Sequence, residues 1–244
     1  MNSLQNKSIV FKKGVLNIFT DASIDVIDTG FYNACAGALP VVLDEEGNHF
    51  KGEASLRLLE RCTNNAGEYT AIELGVALAV ANQFLFSRIN LFSDSNISVK
   101  TLREWIFSWV HYRDGQTNMY YDPYVIDMKG SDGKVKKNQI LIKNIINRIC
   151  MINPMICEFN IYHVKGHAKG KTRLIQEDFY NTNDGIEIPE CDAAKFGEYN
   201  DYIDTLTRMT LHQNEGSGFF ITAPFAIIPT NMNLYHKIIG GRRF

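Results

Sequence analysis

Residues 15–21 read Val-Leu-Asn-Ile-Phe-Thr-Asp, and residues 89–94 read Ile-Asn-Leu-Phe-Ser-Asp. Both are short apolar runs rich in β-branched and aromatic residues, a composition that predicts strands. Each run ends on a carboxylate, Asp21 in the first and Asp94 in the second. Because ligand sites in α/β sheets lie beyond the strand ends, both aspartates are candidates for such a site.

The other elements extend these two strands into a mixed sheet. Residues 34–43 and 52–59 are predicted to continue the first strand as an antiparallel meander. Apolar residues between positions 65 and 84 recur with helical spacing and predict a helix. The remaining predictions are a helix from the N-cap Ser95 to about Trp109, a helix at 139–152, a strand at 157–164 and a final helix at 200–212. This order predicts a mixed sheet with helices packed against it.

The composition is that of a folded globular protein. The chain has 244 residues, of which 45% are hydrophobic, and only six prolines, so it can bury a large core. No apolar run approaches the length that spans a bilayer, and residues 1–14 lack the apolar segment of a secretion signal. The five cysteines are scattered, without paired zinc-ligand spacing, which favours free thiols in a reducing compartment. A cytoplasmic protein without a membrane partner is therefore expected.

The formal net charge of -2 argues weakly against a nucleic-acid partner, because polyanion binding depends on Lys and Arg contacts to phosphate. The distribution of charge says more than the sum. Basic residues gather at 134–143 and at 165–173, whereas acids gather at 187–198. Local basic patches can therefore bind phosphate while a carboxylate-rich metal site lowers the total.

Four acids are candidates for such a metal site. Asp21 and Asp94 end apolar runs, Glu68 lies one turn inside the first predicted helix, and Asp204 lies in the last one. Converging carboxylates repel one another, and hard divalent cations with oxygen ligands are the usual remedy. Each acid alone also has an ordinary structural explanation, as a cap, as a first-turn acid or, for Asp204, as the partner of Arg208 four residues on.

Five motifs surround these acids in a fixed order. They are Phe-Thr-Asp-Ala-Ser at 19–23, Thr-Asn-Asn-Ala-Gly-Glu at 63–68, Ser-Asp-Ser at 93–95, His-Val-Lys-Gly-His-Ala at 163–168 and Asn-Asp-Tyr-Ile-Asp-Thr-Leu at 200–206. Together they resemble the type 1 ribonuclease H family over residues 15–211. The resemblance implies a ribonuclease H-like α/β fold, in which helices flank a five-stranded mixed sheet made of a three-strand antiparallel meander plus parallel strands. It also implies an endonuclease that hydrolyses the RNA strand of an RNA–DNA hybrid duplex.

The resemblance also assigns catalytic roles. It implies that two Mg²⁺ ions, or Mn²⁺ in their place, are held by Asp21, Glu68, Asp94 and Asp204. In the family one ion activates the attacking water and the other stabilises the departing 3′ oxygen, which leaves 5′-phosphate and 3′-hydroxyl ends. His167, in a glycine-flanked loop, would assist proton transfer or product departure.

Substrate contacts are implied in the same way. The family's phosphate-binding pocket for the DNA strand corresponds to Arg61, Thr63 and Asn138. The amides that contact bases and RNA 2′-hydroxyl groups correspond to Asn64, Asn65 and Asn96. Recognition of 2′-hydroxyl groups across a wide minor groove distinguishes RNA without reading sequence, so low sequence specificity is expected.

The basic handle of some family members has only a weak counterpart in this sequence. Its place is taken by Trp105, Trp109 and residues 111–121, a segment with one arginine and no lysine. The two tryptophans are expected to pack on a helix face in the core rather than to stack on substrate. Lysines at 134–143 are expected to supply the positive charge instead.

The sequence departs from the family at further places. Ala22 replaces the glycine usual after the first aspartate, where a methyl group could crowd the backbone near the substrate. The loop at 170–199 is longer than the family's and is interpreted as a substrate clamp, a partner surface or an inert excursion. The predicted organisation is an N-terminal extension at 1–14, a ribonuclease H domain at 15–213 containing that insertion, and a hydrophobic C-terminal extension at 214–244. Its apolar run at 219–229 is expected to pack against the domain or against a protein partner.

Three other function classes fit parts of this pattern. A non-catalytic nucleic-acid-binding or scaffold protein of the same fold would not need all four acids together with His167. A nuclease acting on DNA or structured RNA is disfavoured by the Thr-Asn-Asn motif and by Arg61 two residues before it. A small-molecule phosphohydrolase is disfavoured because the sequence has no glycine loop that would cradle a phosphate.

Overall fold

The computed structural model describes residues 8, 10–107, 120–121, 128, 134–214, 230–231 and 238–239. Its strands are β1 (Val15–Asp28), β2 (Phe31–Leu43), β3 (His49–Lys51), β4 (Ser55–Cys62), β5 (Arg88–Ser93), β6 (Tyr120–Tyr121), β7 (Glu158–His163) and β8 (Thr230–Asn231). Its helices are α1 (Asn64–Asn82), α2 (Asn96–Lys100), α3 (Gln139–Ile149), α4 (Thr172–Thr182) and α5 (Glu190–Gln213), and a π-helical turn, Thr101–Trp105, follows α2. None of these helices is long and apolar enough to cross a membrane.

The main sheet has the strand order β3-β2-β1-β5-β7, and β4 also pairs with β2. Pairing is antiparallel among β1 to β4 and parallel from β1 through β5 to β7. The predicted mixed sheet of a meander plus parallel strands is therefore confirmed. The predicted third strand, 52–59, corresponds to β4, which begins three residues later, and the short strand β3 before it was not predicted. The two strands are interrupted opposite Pro40 of β2, which has no amide hydrogen to donate. A Cβ on Gly52 would lie 2.9 Å from Cγ of this proline, so the chain between the two strands passes close to its ring.

Strand β1 is longer than predicted, and this changes the position of Asp21. The strand continues to Asp28 as one arm of a hairpin with β2. Its parallel pairing with β5, however, stops at Thr20 opposite Ser93. Asp21 therefore lies not at the end of its own strand but where β1 loses its neighbour on one side. The site that we expected beyond the strand ends is open at this point because β5 ends there.

Two apolar cores cover the two faces of the sheet. One lies between the sheet and helices α1 and α3, and it includes Ile18, Ile72, Leu91 and Ile146. The other lies under α4 and α5 and is aromatic, with Phe19, Phe92, Phe179, Phe196 and Tyr199. Successive residues of a strand point to opposite faces, which is why Ile18 and Phe19 belong to different cores. Most side chains of the central strands are therefore apolar and buried, which leaves few polar side chains there that could take part in a reaction.

The second core also takes in a short segment before β1. Val10 and Phe11 are buried there, and the amide of Val10 donates to the carboxylate of Asp192 in α5 at 3.1 Å. The ring of Phe11 packs edge-on against Phe196 and Tyr199, with ring centroids 5.9 and 5.8 Å away. These residues join the chain before β1 to the last helix.

The prediction of a polar loop at 170–199 is wrong. This stretch contains α4 and the first turns of α5, and Ile175, Phe179 and Phe196 are almost completely buried in the second core. The final helix therefore begins at Glu190 rather than at Asn200. The apolar positions of α4 are few and separated by charged residues, so their four-residue spacing is a weak signal in the sequence.

The other predicted elements agree with the structure within a few residues. Ser95 caps α2 as predicted, since its hydroxyl accepts from the amide of Ser98. Trp105 is 39% exposed, so the prediction that it packs in the core is wrong. It lies in the π-helical turn, whose wider winding shifts side chains away from the face that an α-helix would present. Trp109, residues 111–119 and the apolar run at 219–229 lie outside the described residues.

Candidate active site

Three of the four predicted acids converge beside the end of β5. Asp21, Glu68 and Asp94 each offer a carboxylate oxygen, and these oxygens lie within 4.8 Å of one another. We refer to these three residues as the acid triad. β1 carries the first, α1 the second, and the third directly follows β5. Thr63 fixes the start of α1, because its hydroxyl accepts from the amide of Ala66 at 3.3 Å, an N-cap that sets where Glu68 lies.

The acid triad is unfavourable on its own. Burial and then the charge of Asp94 raise the pKa of Asp21 well above its usual value. Burial, followed by the charges of Asp21 and Asp94, likewise raises the pKa of Glu68. The Oε2 atom of Glu68 is buried and has no hydrogen-bond partner among the described residues. A set of oxygen donors that is crowded, negative and incompletely bonded fits a hard divalent cation.

Asp94 is held by groups from two other segments. Its Oδ2 atom accepts from the side-chain amide of Asn200 in α5 at 3.4 Å. On the other side, a Cβ added to Gly166 would overlap the same oxygen, so a side chain at this position would displace the carboxylate. Burial raises the pKa of Asp94, although the Asn200 hydrogen bond and the nearby charges of His167 and His163 act in the opposite direction.

Asp204 lies beside the acid triad but outside its mutual 4.8 Å spacing. Its charge nevertheless contributes to the raised pKa of Asp21. Its Oδ2 atom is 3.5 Å from Arg208 and 3.9 Å from Nδ1 of His167. The side chain is 14% exposed, so Asp204 faces the site while being paired within its own helix.

Asp201 lies in a different environment from Asp204. Because α5 begins at Glu190, Asp201 is about three turns inside the helix and not in its first turn. It pairs with Lys169 at 2.7 Å and is 40% exposed. The buried positions of this part of the helix are Ile203, Thr207 and Leu211, whereas Leu206 and Thr210 are only half-buried.

His167 lies on an exposed loop after β7. Its side chain is 79% exposed, and its backbone has φ of 50°, in the left-handed region that non-glycine residues rarely adopt. Arg61 and Asn138 share this unusual backbone, with φ of 49° and 60°. Thus three of the four non-glycine residues with positive φ in the described parts of the chain are predicted site residues, and such strain concentrates at functional sites.

The structure brings two of the three predicted phosphate contacts together. The side chains of Thr63 and Asn138 hydrogen-bond to each other at 3.2–3.3 Å. Arg61 is exposed near the end of β4. Its guanidinium lies 5.1 Å from the centre of the Phe31 ring, and its backbone amide donates to the side chain of Asn33. The contacts of this arginine therefore come from β2 and not from Thr63 or Asn138.

The predicted groove amides lie at two helix N-termini near the acids. Asn64 and Asn65 are in the first turn of α1, and Asn96 is the first residue of α2, two positions after Asp94. Asn64 and Asn96 are exposed, and Asn65 is half-buried. They are therefore placed on the same edge of the sheet as the acid triad.

Two features of the site were not assigned from the sequence. Asn200 and Gly166 both lie in motifs that we quoted, but only the structure shows that both contact Asp94. Ala22 lies next to the start of α1, since a Cβ added at Gly67 would be 3.2 Å from its methyl group.

Comparison with known protein families identifies the family of this chain. The RNase H family model matches residues 13–178, more than half of the 244 residues. The chain belongs to the RNase H family. A search of curated proteins gave no match.

Solved structures with the RNase H fold are similar at low identity. The foamy viral protease-reverse transcriptase in complex with RNA/DNA hybrid is 13% identical, with a TM-score of 0.52, over 81% of this chain and 20% of that one. LC9-RNase H1, a type 1 RNase H with the type 2 active-site motif, is 13% identical over 80% of this chain and 86% of that one, with a TM-score of 0.48. RNase H1 from the halophilic archaeon Halobacterium salinarum is 15% identical over 70% of this chain and 99% of that one, with a TM-score of 0.37. The chain spans about a fifth of the viral protein, and that first similarity shows the fold.

Proposed function

We propose that this RNase H family member is an endonuclease that hydrolyses the RNA strand of RNA–DNA hybrids and leaves 5′-phosphate and 3′-hydroxyl ends. The observation that carries the proposal is the acid triad, whose carboxylate oxygens lie within 4.8 Å of one another. Family membership and the similarity to a viral protein in complex with an RNA/DNA hybrid support the substrate.

The acid triad and Asp204 would hold two Mg²⁺ ions, with Mn²⁺ as a substitute. The crowded oxygens, the raised carboxylate pKa values and the unpartnered Oε2 atom of Glu68 support this assignment. When bound, such ions would supply positive charge that favours ionisation of the attacking water and departure of the 3′ oxygen.

The protein's own groups position the reaction. Asn200 and Gly166 keep the carboxylate of Asp94 in one place. His167 is exposed, on a strained loop, and 3.9 Å from Asp204. An imidazole in that position can move a proton between solvent and the reacting phosphate, a role that typically contributes about 10²–10⁴-fold.

Hybrid recognition would use the surface around the start of α1. Thr63 and Asn138 form one hydrogen-bonded pair that can accept a DNA-strand phosphate, and Arg61 adds a positive charge nearby. Asn64, Asn65 and Asn96 would contact base edges and 2′-hydroxyl groups of the RNA strand. Lys134 and Lys137, exposed shortly before α3, would contribute phosphate contacts in place of a basic handle.

The experiment that tests this function compares four labelled substrates of one sequence: RNA–DNA hybrid, double-stranded DNA, double-stranded RNA and single-stranded RNA. Each is incubated with the full chain in Mg²⁺, in Mn²⁺ and in excess chelator. We expect cleavage of the hybrid's RNA strand alone, and only with a divalent ion present. The ends are identified by labelling the 5′ end of the downstream fragment with a kinase. We expect labelling only after phosphatase treatment, because a 5′-phosphate must be removed first.

Two results would overturn the proposal. Cleavage that persists in chelator would remove the metal from the mechanism. Equal cutting of duplex DNA or duplex RNA would move the protein to another substrate class, despite its acid triad.

A further inference from the structure

His163 ends β7, and only 7% of its side chain is exposed. Its Nε2 atom lies 3.1 Å from the carbonyl oxygen of Asp94. A carbonyl oxygen only accepts hydrogen bonds, so Nε2 carries the hydrogen and donates it. His163 therefore contacts the backbone of a residue in the acid triad, although its own ring is not part of the triad.

The other side of the imidazole faces α4. Its Nδ1 atom lies 3.1 Å from Oδ2 of Asp178 and 3.2 Å from the hydroxyl of Thr182. Because a buried imidazole is oriented by the partners of both nitrogens, these two side chains determine the direction in which Nε2 points. The ring thus connects α4 to the backbone of Asp94.

Helix α4 is itself fixed to β7 at its C-terminal end. Asn183 is completely buried, and its side-chain amide accepts from the amide of His163 at 2.9 Å and donates to the His163 carbonyl at 2.7 Å. These are the two bonds that a neighbouring strand would make to the sheet edge. Arg103 donates to Asn183 and to the carbonyl of Thr182, and it pairs with Asp184. The end of the helix therefore cannot shift relative to β7 without breaking the two buried bonds of Asn183 to His163.

We propose that His163 is a positioning residue of the catalytic centre, through which Asp178 and Thr182 of α4 fix the backbone of Asp94. The carbonyl of Asp94 is held by His163 and by the amide of Asn96 at 3.1 Å. Its carboxylate is held by Asn200 and confined by Gly166. Loss of the His163 bond leaves the carbonyl of Asp94 with only the hydrogen bond from Asn96. The backbone of Asp94 is then less restrained, and so is its carboxylate. This inference rests on the proposed function, and it gives the stretch at 170–199 a role in catalysis.

A merely structural role would lower stability without a specific effect on metal binding. A positioning role predicts a different pattern, because residues behind a metal ligand typically change metal affinity or activity by about 10–100-fold. We expect His163→Phe to lower kcat and Mg²⁺ affinity by about 10-fold or more, with KM for the hybrid unchanged. His163→Gln should recover most of the loss, because its terminal amide can donate to the Asp94 carbonyl from about the place of Nε2.

The α4 side of the proposal is tested with two neighbouring acids. Asp178→Asn removes the carboxylate next to Nδ1, whereas Glu177→Gln removes an exposed carboxylate paired with Arg173 on the same helix. Each full-length variant is measured for kcat and KM on the hybrid, for Mg²⁺ binding by calorimetry without substrate, and for melting temperature in chelator. We expect a several-fold loss of kcat and Mg²⁺ affinity for Asp178→Asn and none for Glu177→Gln.

Each outcome decides between the two roles. Equal kcat and Mg²⁺ affinity for Asp178→Asn and Glu177→Gln would overturn the role of α4. If kcat and Mg²⁺ affinity are no higher for His163→Gln than for His163→Phe, the hydrogen bond to Asp94 has no positioning role. If His163→Phe does not fold, Asp178→Asn and His163→Gln still test the proposal. If the wild-type chain cuts no hybrid, the proposed function fails, but calorimetry still tests His163 on its own.

Discussion

Two rows of polar side chains lie on the same face of the sheet, and they differ in whether their members hydrogen-bond to one another. Asn17, Asn90 and Asn160 stand opposite one another on β1, β5 and β7. Their amides hydrogen-bond from strand to strand at 3.0 and 2.9 Å, and all three are buried. Four residues further along the chain from Asn17 and Asn90 lie Asp21 in β1 and Asp94 just after β5. No hydrogen bond joins these two carboxyl groups.

The row between them is aromatic. Phe19, Phe92 and Tyr162 stack across the same three strands, with ring centroids 4.9 and 5.6 Å apart. It separates the asparagine row from the acid triad by one apolar layer. The comparison teaches that buried polar groups are stable where each is the hydrogen-bond partner of the next. Among the described residues the carboxylates of the acid triad are not partners of one another, which is why we propose that a cation binds between them.

The largest expected effect comes from removing one acid. Asp94→Asn should reduce hybrid cleavage by roughly three powers of ten, because metal-ion catalysis is worth several kcal/mol. Binding of the hybrid, measured by gel shift in chelator, should change little, since the residue is not a phosphate contact. Asp28→Asn, which removes an exposed charge from the hairpin of β1 and β2, is the control. Normal cleavage by the Asp94 variant would place the metal site elsewhere.

The second effect concerns the asparagine row. Asn90→Leu removes the central member and leaves the amides of Asn17 and Asn160 without their partner, at about 1–3 kcal/mol for each stranded group. Urea unfolding should therefore show a clear loss of stability. Replacing all three asparagines by leucine should cost less than the single change, because no polar group is then stranded. A triple variant weaker than the single one would mean that the row does not act as a unit.

The third effect is the stabilisation of the protein by the metal. Mg²⁺ at about 100 times its dissociation constant should add about 2.7 kcal/mol to stability, which corresponds to about 5–10 °C in melting temperature for a domain of this size. Glu68→Gln should lose most of this gain. Identical shifts in wild type and variant would show that Mg²⁺ acts elsewhere on the protein.

Without metal the same substitution should act in the opposite direction. Burial and the neighbouring aspartates raise the folded-state pKa of Glu68 above its unfolded value of about 4.3. Protonated Glu68 therefore contributes stability below about pH 4.3 that is lost as pH rises through the folded-state pKa. In chelator at pH 7, Glu68→Gln should be more stable than wild type by about 1.4 kcal/mol for each tenfold change in proton affinity. The difference should vanish near pH 4, and a constant difference across this range would argue against strain in the triad.

The smallest effect distinguishes two aspartates of α5. Asp204→Asn should weaken apparent Mg²⁺ affinity and cleavage by about 10-fold or more, because Asp204 lies beside the acid triad. Asp201→Asn loses only an ion pair with Lys169 at the surface, a kind of contact worth about 0–1 kcal/mol. The reverse order over a Mg²⁺ titration would make Asp201 the fourth ligand.

The difference between the two polar rows also explains what sequence could predict. The acids stand in local motifs, so Asp21, Glu68 and Asp94 could be found and grouped without coordinates. Asn17 and Asn90 stand in the same quoted runs, but their pairing depends on the register between strands about seventy residues apart, which no local pattern specifies.

Helix α4 was missed for a related reason. Two inward residues, Ile175 and Phe179, carry most of its burial, and its remaining positions are polar or exposed, so the segment resembles a loop in sequence. Its contribution comes from tertiary bonds to His163 that appear only when β7 and α4 are adjacent. The folded sheet therefore determines this part of the site more than local sequence does.

The contact between Val10 and Asp192 joins residues 182 positions apart, and this separation has a kinetic consequence. Closing so long a loop must precede any gain from the aromatic contacts that α5 makes with Phe11 and Phe19, and non-local contacts of this kind slow folding. During synthesis, β1 and the first helix emerge well before Phe196 and Tyr199 can cover the second face of the sheet. The nascent chain therefore exposes an aromatic surface until α5 has left the ribosome, an interval in which chaperone binding would compete with aggregation.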